Sequence, residues 1–129
     1  MYEILYQRGG YAFMAEYEDF LKNLKHYQGD PKCPVLQSLE ILQGKWTSRL
    51  IFCLLKNDHM RFGELKKSIP TITNTMLTAT LRELEEKGIV SRLQFNEIPP
   101  HVEYSLTEVG NALLPIFFEL GKWAKEYNL

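Results

Sequence analysis

Apolar residues at three- and four-residue spacing, punctuated by glycine and proline, run along most of this chain, and the period changes once, after Gly88. Residues 1–12 have no clear period. Met14, Tyr17, Leu21 and Leu24 then form one stripe, predicting an amphipathic helix between Gly9-Gly10 and the Gly29-Asp30-Pro31 linker. Val35, Leu36, Leu39 and Leu42 predict a short helix with Pro34 in its first turn and Gly44 as its stop. Trp46, Leu50, Ile51, Cys53, Leu54 and Leu55 are apolar nearly all round, which predicts a buried helix closed by Asn57-Asp58. Met60-Arg61-Phe62 reads as a short extended link. Phe62, Leu65 and Ile69 predict another short helix stopped at Pro70. Thr73 is placed to cap the next one, whose buried face is Leu77, Leu81 and Leu84 with Met76 at its edge. Beyond Gly88, residues 89–95 and 102–106 read as strands of a hairpin with a proline-stiffened tip at 96–101. Thr107 caps a long final helix with Glu108 in its first turn. Its stripe is Val109, Leu113, Ile116, Phe117, Leu120, Trp123, Ala124 and Tyr127, and Pro115 predicts a bend in it.

The predicted fold is therefore mainly α with a small β-hairpin. Two short helices joined by the turn at 70–72, followed by a hairpin, make a winged helix-turn-helix. Residues 1–32 form an N-terminal appendage with one amphipathic helix, 33–106 the winged core, and 107–129 a C-terminal helix. At 100° per residue, Thr75, Thr78, Ala79, Arg82 and Glu86 fall opposite the leucine face, and Asn74 lies on the flank.

Composition narrows the chemistry. The 129 residues are 45% apolar and 12% aromatic, enough for one self-sufficient core. A net charge of −1 excludes a histone-like basic coat. The largest local surplus lies in 61–95, where Arg61, Lys66, Lys67, Arg82, Lys87 and Arg92 stand against four acids; a polyanion would be met there, or the surplus is scatter. Cys33 and Cys53 are too few for a disulfide framework or a four-sulfur zinc site, and their spacing to the histidines suggests no metal. The longest apolar run, 50–55, is far short of a membrane span, and the first ten residues do not read as a signal peptide, so a soluble cytoplasmic chain is expected. No phosphate loop, nucleophile elbow or H-E-x-x-H motif is present, so neither an enzyme nor a cofactor is expected.

The outward face of the capped helix carries hydroxyls, one amide and one guanidinium. Threonine and asparagine reach base edges, and arginine pairs bidentately with guanine; a merely solvated face would look the same. The segments CPVLQSLEILQGKW, RFGELKKSIPTITNTMLTATLRELEEKGIV and PPHVEYSLTEVG together resemble the HxlR-type winged helix-turn-helix transcriptional regulators, relatives of the MarR group, from residue 33 to about residue 123. The resemblance implies a dimeric regulator of double-stranded DNA with the 73–87 helix in the major groove. On that reading Thr73, Asn74, Thr75, Thr78, Ala79 and Arg82 meet DNA, with Arg61, Lys66, Lys67, Arg92 and His101 around them. His101 stands where the family usually has Arg or Lys. An imidazole there implies weaker wing binding, strengthening as it gains a proton. The appendage is longer than the few residues that commonly precede the family's CPV.

The final stripe is broader than a small core covers, which predicts a homodimer interface of Met14, Tyr17, Leu21, Leu24, Leu113, Ile116, Phe117, Leu120, Trp123 and Tyr127; the alternative is that the N-terminal helix covers the stripe in cis. A two-fold pair of such helices predicts an inverted-repeat operator. Cys33 precedes Pro34 at a helix start and is either an inert structural thiol or, as in several similar proteins, a sensor of oxidants or electrophiles. Cys53 reads as core. A regulator of transcription leads; a winged helix used only for protein contacts is the alternative, distinguished by its insensitivity to salt.

Overall fold

The structure, a computed structural model, describes residues 10–129; the expectation for residues 1–9 lies outside the described residues. By contacts the chain divides into two compact units, Met1–Ile41 and Leu42–Leu129. The first holds α1 (Gly10–Lys25) and most of α2 (Pro34–Leu42). Between them, Cys33 donates its amide to the Asp30 carbonyl at 3.1 Å, and its own carbonyl takes the Gln37 amide at 3.0 Å, so Cys33 opens α2. On the predicted α1 stripe Met14 and Tyr17 are half-buried, while Leu21 and Leu24 are exposed.

The second unit runs α3 (Thr47–Lys56), β1 (Met60–Arg61), α4 (Phe62–Ser68), α5 (Asn74–Glu86), β2 (Val90–Phe95), β3 (His101–Leu106), α6 (Glu108–Asn111) and α7 (Leu114–Glu126). Its core is Leu50, Ile51 and Leu54 of α3, Leu65 of α4, Leu77, Leu81 and Leu84 of α5, and Met60, Ile69, Ile72, Ile89, Val90 and Leu106 from the turns and sheet. Gly44 and Gly88 end their helices with φ of 103° and 73°, the left-handed geometry that glycine adopts without penalty.

Three expectations need correction. The extended link is a strand: β1 pairs antiparallel with β3, Met60 opposite Tyr104 and Arg61 opposite Glu103, so the hairpin becomes a three-stranded sheet in the order β1-β3-β2. Helix α3 is not buried all round, because Phe52 is 53% exposed and only Leu50, Ile51 and Leu54 are core. The long final helix is two helices. Thr107 caps the four-residue α6 through the Gly110 amide at 3.2 Å, the chain turns at Ala112-Leu113, and Pro115 sits in the first turn of α7, where its missing N–H costs nothing. Among the described residues, no helix is long and apolar enough to cross a membrane.

Candidate nucleic-acid interface

The turn between α4 and α5 is built from three devices. Ile69 and Ile72 are buried on either side of it, and the Ile72 amide donates to the Ile69 carbonyl at 3.1 Å. Lys66 Nζ reaches across to the Pro70 carbonyl at 3.3 Å. The Met76 amide donates to Thr73 Oγ1 at 3.1 Å, capping α5. These bonds hold α5 with Leu77, Leu81 and Leu84 inward and Thr75, Thr78, Ala79 and Arg82 exposed on the opposite side, Asn74 on the flank. Thr80 is the threonine the pattern did not place: it is buried, its hydroxyl donating to the Met76 carbonyl at 2.7 Å.

The expected cations do not form one surface. Cross-strand partners share a sheet face, so Arg92, Tyr104 and Met60 point one way and Arg61, Glu103, Leu93 and His101 the other. Arg92 joins Arg82 at a common cleft, whereas Lys66 is tied to the turn and Arg61 heads α4, its amide donating to Glu64 Oε1 at 3.1 Å. Lys67 is exposed. Lys87 is paired with Glu83 at 2.8 Å, one turn back on α5.

His101 is held within the wing. Its ring stacks on Phe95 with centroids 4.6 Å apart, Nε2 lies 3.4 Å from Glu103 and Nδ1 3.7 Å from Glu97. No sequence pattern reveals that clamp, because Glu97 lies across the hairpin turn and Phe95 opposite in register. The wing tip beyond it exposes Ile98 fully and carries a cis Ile98-Pro99 bond.

The apolar surface of this unit is larger than the stripe suggested. Val109, Ile116, Leu120, Trp123 and Tyr127 of the stripe are at least half exposed, joined by Phe118 and Leu114. Phe117 stacks on the exposed Phe52, centroids 6.2 Å apart, which carries the patch from α7 onto α3. Both cysteines are half-buried, and burial pushes the Cys53 thiol up, with Lys56 pulling it partly back. Fewer thiolates mean slower attack, so at about pH 7.5 Cys53 is expected to alkylate several-fold more slowly than a free thiol. Timed iodoacetamide labelling with peptide mapping checks this, and a free-thiol rate would refute the shielding.

A sequence profile described as HxlR-like helix-turn-helix matches residues 41–129. An uncharacterized HTH-type transcriptional regulator of Methanothermobacter thermautotrophicus is 46% identical over 96 residues, covering 74% of this chain and 72% of that protein. A transcriptional regulator assigned to the MarR family from Porphyromonas gingivalis W83 superposes with a TM-score of 0.70 at 44% identity, covering 78% of this chain and 97% of that one. The redox regulator HypR in its oxidized form superposes with a TM-score of 0.66 at 42% identity, covering 73% and 96%.

Proposed function

Because the chain belongs to the HxlR-like helix-turn-helix family of transcriptional regulators, we propose that it works as a cytoplasmic homodimer whose two α5 helices enter successive major grooves of an inverted-repeat operator. It is a DNA-binding regulator of transcription. The observation that carries the reading is the division of α5: one face is wholly sunk in the core, and the other, with Thr75, Thr78, Ala79 and Arg82, is bare. Thr75 and Thr78 meet base edges and thymine methyls, while Asn74 and the capped helix start lie where phosphates are favoured. The apolar residues of α7 supply the two-fold contact, because contiguous exposed patches of this kind mark interfaces. Met14, Tyr17, Leu21 and Leu24 of α1 are assigned to partner contacts as well.

Selection of duplexes by the purified protein, followed by footprinting, tests the reading. Two protected half-sites about 34 Å apart are expected, with affinity falling steeply as salt rises. A monomer in light scattering, or affinity indifferent to salt, counts against it and favours a protein-docking module. A second role is assigned to Cys33, supported by its place at the start of α2 and by the likeness to a protein described as a redox regulator. Treatment with a thiol oxidant is expected to change operator affinity in the natural chain and not in Cys33→Ser. An equal response in both would remove Cys33 from the role.

A further inference from the structure

A cleft of about 360 Å³ opens between α5 and the sheet, lined by Thr78, Leu81, Arg82, Glu85, Arg92 and Tyr104. Its helix side is one row of α5 at i, i+3, i+4 and i+7. Its sheet side is the cross-strand pair Arg92 and Tyr104. Among the described residues ion pairs join Lys87 to Glu83, His101 to Glu97 and Glu103, and Lys122 to Glu119, and neither Arg82 nor Arg92 lies within 4.0 Å of a carboxylate oxygen. Arg82 from a helix and Arg92 from a strand thus line one small cleft, with Glu85 as the carboxylate of its lining. Like charges so placed repel, and an anion between them relieves the repulsion. A phosphoryl group fits, because planar guanidinium donors engage its several oxygens from both sides. Tyr104 adds a hydroxyl to the same lining.

We propose that this cleft is a phosphate seat: Arg82 from the helix and Arg92 from the wing close on one backbone phosphodiester of the bound DNA, and Glu85 is a counter-charge that loosens the hold. The inference rests on the DNA-binding reading and reassigns Arg82 within it, from reading a base to fixing the register of α5 on the backbone. A free phosphorylated small molecule presents the same chemistry, and the two sources are separable.

The experiment measures affinity for the selected operator and for random duplex, across a series of salt concentrations, with the full chain and its R82A, R92A, R82A/R92A and E85Q variants. Each single arginine variant is expected to weaken both duplexes alike, by about tenfold, and to lower the salt slope by about one. The double variant loses less than the product of the singles and no further slope, because one phosphate is shared. E85Q is expected to tighten both duplexes about threefold. Single losses that multiply, with a slope lower by two, mean separate phosphates and overturn the shared seat. A loss in R82A confined to the operator means a base contact and overturns it too. A natural chain that binds no duplex in a salt-dependent way fails the regulator reading itself, whereas a binding natural chain with R92A unchanged fails only the seat. Inorganic phosphate titrated onto the DNA-free protein is expected to compete with duplex, and the double variant to lose that competition. Phosphate held by these two arginines while both variants bind DNA normally assigns the cleft to a free anion and overturns the backbone seat.

Discussion

Ala79→Glu is expected to weaken operator binding by at least about a hundredfold, roughly 3 kcal/mol, while the melting temperature moves by no more than about 2 °C. Ala79 is exposed on α5 between Thr75, Thr78 and Arg82, and its methyl is the smallest projection on that side. The backbone of a helix in a groove comes closest to the duplex where its side chains are shortest. A carboxylate there adds bulk and sets a negative charge against phosphates. The fold loses little: Glu is a good helix former, and its like-charge spacing to Glu83 costs about 0.2–0.5 kcal/mol. Fluorescence anisotropy with the operator, beside a thermal melt, reads both quantities. Ala79→Gln separates bulk from charge and is expected to recover a large part of the loss. Operator affinity untouched by either variant would mean that this side of α5 does not enter the groove.

The α5 face was legible because a 3.6-residue period over thirteen residues leaves little freedom: Leu77, Leu81 and Leu84 fix the inside, and the outside follows. Thr73 and Thr107 were legible as caps because a hydroxyl ahead of an apolar period has one common use. What the pattern missed has equally specific causes. Two residues cannot display a two-residue period, so β1 emerged only from its pairing with β3. The helix of Leu50, Ile51 and Leu54 looked buried all round because periodicity cannot tell an apolar side chain facing the core from one left exposed, as Phe52 is, and Pro115 looked like a kink because its place in a first turn depends on where the preceding helix stops. The shared cleft of Arg82 and Arg92 depends on sheet register and on α5 packing, neither of which a ten-residue separation in sequence encodes. His101 shows the same limit from the other side. The residue type implies only a weaker wing contact to DNA, whereas the structure stacks its ring on Phe95 and sets the carboxylates of Glu97 and Glu103 beside its nitrogens.

Gly110→Ala is expected to lower stability by about 2–3 kcal/mol, a fall in melting temperature of roughly 10 °C. The cause is space rather than backbone freedom. A Cβ on Gly110 would overlap the Ile89 carbonyl oxygen and come within 2.9 Å of Leu106 Cδ2. That carbonyl cannot withdraw cheaply, because it accepts the Thr107 amide at 3.0 Å and lies beside the Gly88 carbonyl, which takes the Thr107 hydroxyl at 2.6 Å. Gly88 and Ile89 lead into β2, Leu106 ends β3 and Thr107 caps α6, so the close approach of Gly110 locks the end of α5 to the wing and to the helices beyond it. Relaxing the clash therefore moves the wing against α5, and operator affinity is expected to fall with stability rather than independently of it. Gly63→Ala, in α4 with nothing near its added methyl, is the control and is expected to leave stability unchanged or raise it by up to about 1 kcal/mol. Urea unfolding of both variants decides the matter. If Gly110→Ala unfolds at the natural midpoint, α6 has yielded to the methyl, and the contact with Ile89 does not hold wing and helix in register.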